Sequence, residues 1–593
     1  MDHYGRGFLY FFATRHFDVT RRSRDDTRPA APRGPVAGHG GGRPYALGCC
    51  AAMGLLLPGI ALSQVPNAGQ SMREIESVRP ALPAAPAPEL SIERGEQAAP
   101  VPDGADAGPR VTVRAFAIGG NRVFTSTQLE ALVQDLTGRE LSFGELQAAA
   151  ARITSYYREH GYVLARAYLP RQDIDDGLVR IDVLEGRYDR IELHNRSRVL
   201  DGVVRQPLSA LRPGEAVRGA DLARSLLLVG DLPGVDAKGT LRSGRSQGST
   251  DLVIDADPGP IATGTLEADN YGNLSTGRYR LTGSVAVNSP LRIGDRLTLR
   301  GMGSDELQRY YSASYQLPVG PWSTRVGVGY SNLHSKVGEG FEELDLHSRA
   351  NIQSAFVVQP LLRGRAFNLN AQLQYENKNL HDDYRAFHIQ DDKNVGLWTF
   401  TLSGNGDDAL LGGGTTAFSV SAGAGRLRTA DVLGAQGFVK TRGTFKKLGV
   451  SVMRLQALGS RFQFYTQFSG QLSSGNLDAS EQFSLGGPYG VRAYTLGSGS
   501  GDQGWQASAE LRYAVAPGWR VSTFVDAGRV GINKHRVFKD TNIIRMQAAG
   551  LGAGWYGKGH QITVAAAWPF ASSEGLASSA GSPRIWFQAT QYF

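Results

Sequence analysis

The residue groupings that could carry covalent or metal chemistry are few, and each stands in surroundings that do not suit it. Gly244-Arg245-Ser246-Gln247-Gly248 fits the G-x-S-x-G elbow that presents a nucleophilic serine. That elbow needs a strand before it and a helix after it, whereas here it falls at a hairpin tip between two short strands. Gly499-Ser500-Gly501-Asp502-Gln503-Gly504 and Gly552-Ala553-Gly554-Trp555-Tyr556-Gly557 fit G-x-G-x-x-G. Neither lies in a βαβ unit, where a helix N-terminus could meet a pyrophosphate. His381, Asp382, Asp383 and His388 offer imidazole and carboxylate donors close in sequence, as a metal site or as a solvated surface loop. No catalytic residue, metal or cofactor is assigned on this reading.

The only two cysteines, Cys49 and Cys50, lie in an apolar run over residues 46–62. Arg43 precedes the run, Pro58-Gly59 interrupts it, and Ala61-Leu62-Ser63 ends it as a small-residue cleavage site. That is the pattern of a signal peptide rather than a spanning helix. Cleavage after Ser63 leaves a chain without cysteine, which suits an oxidising periplasm and excludes disulfide and thiolate-metal chemistry. The long stretch before the run is either an extended leader or a sign that translation starts downstream. No other stretch is apolar enough for a membrane helix, so any spanning structure must be built from strands. The net charge of +8 comes from 63 basic residues dispersed among 55 acidic ones, which reads as decoration of a wet lumen and loops, not as a nucleic-acid surface.

The chain ends Trp586-Phe587-Gln588-Ala589-Thr590-Gln591-Tyr592-Phe593. Ile585, Phe587, Ala589, Gln591 and Phe593 share one face, and four of these five are apolar, as when one face meets lipid and the other water. Gln591 is placed at the headgroups. Upstream, Tyr311, Ala313, Tyr315 and Leu317 share a face, as do Val326, Val328 and Tyr330. From residue 260 onward, period-2 segments alternate with Gly, Asn, Asp and Ser turns. At about ten residues per spanning strand plus a turn or loop, this length holds roughly sixteen strands, neighbouring even counts remaining open. The 75 glycines fit the lumen face and tight turns of such a barrel.

Two smaller units precede it. Val111-Thr112-Val113-Arg114-Ala115-Phe116 alternates as a strand and turns at Gly119-Gly120-Asn121. Thr125 with Gln128, and Ser142 with Glu145, read as capping boxes opening two helices. The second places Leu146, Ala150, Ile153 and Tyr157 on one face. Strands over 162–169 and 178–183 complete a β-α-α-β-β unit. The pattern then repeats: a strand at Arg190-Ile191-Glu192-Leu193, helices over 199–211 and 219–228, a break at Gly230-Asp231-Leu232-Pro233-Gly234-Val235, and a hairpin over 237–241 and 250–256. Before both units, residues 68–79 carry Met72, Ile75 and Val78 at helical spacing, either in a disordered leader or as a docking helix. Pro80, Pro83, Pro86 and Pro88 then impose an extended linker.

These segments resemble the two-partner secretion transporters of the Omp85 superfamily, the filamentous-haemagglutinin and haemolysin exporters. Leu169-Pro170-Arg171-Gln172-Asp173-Ile174, Gly177 and Val183-Leu184-Glu185-Gly186 are similar to the signature of the family's first periplasmic (POTRA) domain, and Asp231-Leu232-Pro233-Gly234-Val235 to that of the second. Asp269-Asn270-Tyr271-Gly272 with Thr276-Gly277 resembles the first barrel strand. Gly486-Gly487-Pro488-Tyr489-Gly490-Val491-Arg492-Ala493-Tyr494 resembles the conserved lumen loop, with Ala493 where the family carries glycine. Phe524-Val525-Asp526-Ala527-Gly528 resembles the strand that loop touches.

The resemblance implies an extended signal peptide over 1–63, a plug helix and Pro-rich linker over 64–110, POTRA domains over 111–187 and 188–259, and an outer-membrane barrel of about sixteen antiparallel strands over 260–593. It implies export of a large partner protein (adhesin, haemolysin or contact-dependent toxin) bearing an N-terminal secretion domain, with barrel assembly as the alternative. Outer-membrane lipid, periplasmic chaperones and the barrel-assembly machinery are the other implied partners. The implied site residues are Gly487, Val491, Arg492, Tyr494, Phe524, Asp526 and Gly528 around the lumen loop. In the POTRA motifs they are Pro170, Gln172, Asp173, Gly177, Gly186, Leu232, Pro233 and Gly234, with Phe593 as the C-terminal barrel signal. A guanidinium on a loop inside a barrel needs a carboxylate, so Arg492 is expected to fork onto Asp526, either for export itself or to stiffen the barrel. The POTRA sheets are expected to offer free edges to an arriving unfolded chain. Leu226 and Leu228 are either a selectivity groove beside such an edge or core.

Overall fold

The computed structural model describes residues 67–76, 90–92, 110–174, 176–305, 308–338, 340–429, 441–536, 542–572 and 583–593. The leader with Cys49 and Cys50, Val78 and the linker prolines lie outside the described residues. Among the described residues, no helix is long and apolar enough to cross a membrane. The crossing is made by a closed barrel of sixteen strands, each antiparallel to its neighbours. Strand length varies from 8 residues at Ala262–Asp269 to 20 at Ile389–Asp408.

Alternation explains the wall. Tyr311, Val328 and Tyr330 are exposed on its outer face, with Ala313 opposite Tyr330 and Tyr315 opposite Val328. In the last strand, Arg584–Tyr592, Ile585 and Phe587 point outward while Trp586, Gln588 and Thr590 are buried inside, and Phe593 is 75% exposed. The seam joins this strand to the first over five register positions, Thr265–Tyr592 to Asp269–Gln588. Asn270 then continues the ladder with its side chain: its Nδ2 donates to the Ile585 carbonyl at 2.9 Å and its Oδ1 accepts from the Phe587 N–H at 2.7 Å.

The two periplasmic units share one topology. In the first, Leu178–Leu184 lies between Ala115–Gly119, parallel to it, and Arg166–Tyr168, antiparallel. In the second, Ser249–Pro258 lies between Arg187–Asn195 and Val235–Ser243 with the same two senses. Both capping boxes form, and Leu146, Ala150, Ile153 and Tyr157 are buried beneath their helix, Phe143–Glu159. Three details differ from the sequence reading. The strand expected over 111–116 breaks, so that Val111–Thr112 pairs with Glu140–Leu141 instead. The helix expected over 199–211 is a short turn, Asp201–Arg205, running into a 3₁₀ segment that begins at Gln206-Pro207. The linker contributes a strand, Leu90–Ile92, parallel to Val235–Ser243, so the second sheet has four strands and that edge is occupied.

Glu185, in the first POTRA motif, joins the two units. Its Oε1 accepts from the Arg122 and Val123 N–H groups at 2.6 and 2.7 Å and from the Tyr157 hydroxyl at 2.9 Å, and its Oε2 meets Arg187 of the second unit. Burial works to raise this carboxyl's pKa, but the two backbone donors, Tyr157 and Arg187 outweigh it and hold the group below the ordinary carboxylate value. Ionised Glu185 therefore stabilises the folded unit near neutrality, and this contribution disappears as pH falls below about 4.5 and through the depressed value. Glu185→Ala is expected to destabilise the first POTRA unit by about 3 kcal/mol, because several buried donors lose their acceptor. Hydrogen exchange of helix Phe143–Glu159 in the intact protein measures this, and acidification should have less effect on the variant than on the parent.

Candidate functional site

Between strands Phe462–Ser473 and Gln503–Ala516 the chain does not turn back at once but folds into the lumen, and its apolar part packs as a small core. Leu485, Val491, Ala493 and Tyr494 are buried against Phe524, Val530, Ile544, Met546 and Ala548 of the wall. Gly487 takes φ +115°, a conformation that disfavours a side chain. Gly528 leaves room for Leu485, since a Cβ there would stand 2.7 Å from Leu485 Cδ2. Ala493 stays out of the left-handed region, so it is accommodated where the family carries glycine.

The expected ion pair is present. Arg492 Nε and Nη2 each donate to Asp526 at 2.8 Å, and the Arg492 N–H donates to the same carboxylate at 3.1 Å. Asp526 is wholly buried on strand Trp519–Gly531, and Phe524, two residues earlier on the same face, lies under the guanidinium at 3.2 Å from its ring centroid. Two partners were not anticipated. Arg492 Nη1 donates to Glu510 at 2.9 Å and Nη2 to Ser508 at 3.0 Å. Register places them there: Ser508 stands opposite Asp526 and Glu510 opposite Phe524. The alternating Ser508-x-Glu510-x-Arg512 was the available signal. Trp586 of the last strand donates from Nε1 to the Arg492 carbonyl at 2.7 Å, and Tyr271 lies edge-on to both Tyr489 and Trp586. The loop is thereby tied to the barrel seam.

The start of the loop carries the opposite charge and meets a different arc of wall. Glu481 accepts from Lys378 at 2.9 Å and Lys447 at 2.6 Å, and Asp478 pairs with Lys393 at 3.5 Å. The N-terminal helix Ala68–Glu76, here α1, completes the filling. Ala68, Met72 and Ile75 pack on the lumen-facing Met302, Tyr310, Leu333, Ala350, Ile352 and Leu380. The Ala68 N–H donates to Asp382 at 2.8 Å, and Arg73 donates to Ser500 Oγ at 3.0 Å and to the Gln482 carbonyl. Gly69 lies against the loop at Ser480, 2.8 Å from where a Cβ would sit. Of the two readings of this segment, the docking helix is the one found.

The remaining expected residues are spread over other places. Gln172 clamps a strand: its Oε1 accepts from the Arg180 N–H at 2.7 Å and its Nε2 donates to the Arg180 carbonyl at 2.8 Å. Pro170 and exposed Asp173 flank it, and Gly177 and Gly186 sit at left-handed turns. The second motif fastens the POTRA unit to the barrel. Asp231 takes a two-pronged bond from Arg363, both contacts at 2.7 Å, and the Pro233 carbonyl accepts from Ser289 at 2.5 Å. Leu232 is buried in the domain core, and Gly234 turns the chain beside Asn288. Leu226 and Leu228 are buried, and Leu226 belongs to that core, so neither lines an open groove. His381, Asp382 and Asp383 lie on strand Phe367–Tyr384 rather than in a loop, pointing alternately outward and inward. Asp382 holds α1, His381 pairs with Asp392, and Asp383 with Arg385, and among the described residues no group of metal-ligating side chains assembles. Ser246 is a hairpin-turn residue bonded to Ser249.

Residues 248–557 match the family described as haemolysin secretion/activation protein ShlB/FhaC/HecB, and residues 111–186 match the ShlB-type POTRA domain. Among named relatives, the heme/hemopexin transporter protein HuxB of Haemophilus influenzae (strain 86-028NP) is 27% identical over 463 residues, 76% of this chain and 81% of that one. The outer membrane transporter CdiB of Escherichia coli O6:K15:H31 is 25% identical over 435 residues, 69% and 70% of the two chains. The hemolysin transporter protein ShlB of Serratia marcescens is 25% identical over 437 residues, 70% and 74%. In three dimensions, CdiB from Escherichia coli shares the fold with a TM-score of 0.66 at 21% identity, over 89% of this chain and 96% of that one. CdiB from Acinetobacter baumannii does so with a TM-score of 0.60 at 17% identity, over 84% and 93%. The chain belongs to the ShlB/FhaC/HecB family, and it is an outer-membrane two-partner secretion transporter whose POTRA domains stand in the periplasm and whose barrel exports a partner protein.

Proposed function

We propose that the lumen loop and α1 together form the closed state of the export path, and that Arg492 with Asp526 sets the position to which the loop returns. The observation that carries this reading is the forked Arg492–Asp526 pair, buried with Phe524 beneath it and Glu510 beside it. A planar donor with two fixed acceptors admits one register, so the loop is held rather than merely attracted. α1 lies in the same lumen and bonds to the loop through Arg73, so passage of a chain requires α1 to leave and the loop to shift. The passenger is a large adhesin, haemolysin or contact-dependent toxin with an N-terminal recognition domain. It reaches the barrel unfolded and pairs with exposed POTRA edges by backbone bonding. The strand Leu90–Ile92, already added to the second sheet, supports the view that such an edge accepts a further strand. The protein acts as a conduit and not as an enzyme. Folding of the passenger outside gives the movement its direction, because a folded product cannot slide back. Lipid, periplasmic chaperones and the barrel-assembly machinery are its partners during biogenesis. Two POTRA units and a filled lumen favour export over the assembly of other barrels.

Two outcomes test these assignments. Arg492→Ala is expected to give a folded, membrane-inserted barrel whose partner protein accumulates in the periplasm, and undiminished secretion would remove the loop assignment. A chain lacking residues 68–76 is expected to conduct ions more readily in planar bilayers than the intact protein. Equal conductance would mean that α1 does not close the path.

A further inference from the structure

The lumen loop packs on the inner faces of Val395, Leu397, Leu427 and Phe445. The outer faces of the same strands carry a different surface, which can be followed row by row through the register. One row reads Leu373, Phe400, Ala422, Leu448, Leu472 across five adjacent strands, apolar throughout and exposed to lipid. The next row reads Tyr375, Trp398, Ala424, Lys446, with the two aromatic rings 4.9 Å apart. Beyond it come Asn377, Gly396, Arg426, Thr444, and then Asn379, Asn394, Arg428. An apolar band thus gives way through an aromatic girdle to three cations on two adjacent strands, the sequence of surfaces found where a barrel leaves the hydrocarbon.

This boundary is the outer one. The opposite end of strand Phe367–Tyr384 pairs, at Asn368, with Arg363 of the neighbouring strand Leu346–Arg363, and Arg363 bonds Asp231 of the second POTRA unit, so that end faces the periplasm. A groove of about 760 Å³ opens on the barrel exterior here, lined by Tyr375, Trp398, Arg426, Arg428, Lys446 and Ser474. Among the described residues no carboxylate pairs with Arg426, Arg428 or Lys446. Asp392, one row further out on the same face, is held by His381 at 2.7 Å.

We propose that this groove binds the phosphorylated head of lipopolysaccharide, the anionic lipid of the outer leaflet. Arg426, Arg428 and Lys446 take the lipid A phosphates, the amides of Asn377 and Asn394 and the Ser474 hydroxyl meet the sugar, and the acyl chains lie along Trp398, Phe400, Leu373 and Leu448. Guanidinium groups suit this role because their fork matches phosphate oxygens. A site continuous with the lipid-facing girdle fits a lipid rather than the exported polypeptide, which passes on the other side of the wall. The lipid would fix the barrel's height and rotation in the membrane on the side where the loop is braced.

The test uses the full-length protein extracted in mild detergent, with lipopolysaccharide carried through purification measured by mass spectrometry. The variant combines Arg426→Gln, Arg428→Gln and Lys446→Gln. It is expected to bind on the order of a hundredfold more weakly, since each basic residue at a charged membrane surface is worth roughly a factor of five. A second variant, Arg426→Lys with Arg428→Lys, keeps the charge and is expected to retain most of the lipid. Delipidated wild-type protein is then heated with diphosphorylated lipid A, dephosphorylated lipid A or inorganic phosphate. The first alone is expected to raise the melting temperature, and this arm decides the matter even if the glutamine variant fails to fold. Equal lipid retention by a folded glutamine variant would overturn the proposal, as would equal stabilisation by dephosphorylated lipid A. Stabilisation by inorganic phosphate alone would show an anion site unrelated to lipid, and binding of the groove to the exported polypeptide in place of lipid A would assign the surface to cargo.

Discussion

The structure rests on closure of a hydrogen-bonded ring in a solvent that offers no hydrogen bonds. An unpaired N–H or C=O in hydrocarbon costs several kcal/mol, so a membrane sheet must meet itself. The first strand is short, and it meets the last at only five register positions. The seam is extended at both ends by other means. Phe593 and Gly264 exchange backbone bonds at the periplasmic end, and the Asn270 amide stands in for a backbone at the outer end. The motif that opens the barrel and the residue that ends the chain are two halves of one closure.

A ring of this size leaves a wet interior, and the electrostatics of that interior explain how it is filled. The loop enters with Asp478 and Glu481 on a lysine-bearing arc and ends with Arg492 on a carboxylate-bearing arc. It braces the lumen between two surfaces of opposite charge. Each of these loop charges is compensated by a partner on the wall, and removal of one partner would strand the other at a cost of about 3–5 kcal/mol. α1 packs Ala68, Met72 and Ile75 on the wall and also bonds to the loop through Arg73 and to the wall through Asp382, so loop, helix and wall form one contact network.

The motifs of the periplasmic units act through the same economy of partners. Glu185 gathers donors from one turn, a helix and the following domain, and Asp231 with Pro233 fastens that domain to the barrel. Gln172 lends its amide to strand Leu178–Leu184 where no further strand stands. These residues position sheets and their edges relative to the pore rather than lining a pocket of their own.

Alternation along single strands was enough to read the barrel and the faces of the terminal strand, because a period of two is a local property, while length alone gave roughly sixteen strands and left neighbouring even counts open until the register closed the ring. Capping boxes and a helical stripe likewise disclosed the first POTRA unit. The Arg492–Asp526 pair was legible because the family resemblance put Arg492 on a lumen loop against the strand of Asp526, and a guanidinium there needs a carboxylate. Glu510 and Ser508 were not, since only the register of Gln503–Ala516 against Trp519–Gly531 sets them beside Arg492. The helix expected over 199–211 is cut short where a 3₁₀ segment opens on Gln206-Pro207, and three linker residues became a strand because a sheet edge was there to receive them. What the sequence determined by itself is the alternation that makes a cylinder with one dry and one wet face, since that depends on neighbours two residues apart. Only the tertiary structure decided which charges meet across the lumen and which gather outside it, because those meetings depend on strand register and on residues hundreds of positions apart.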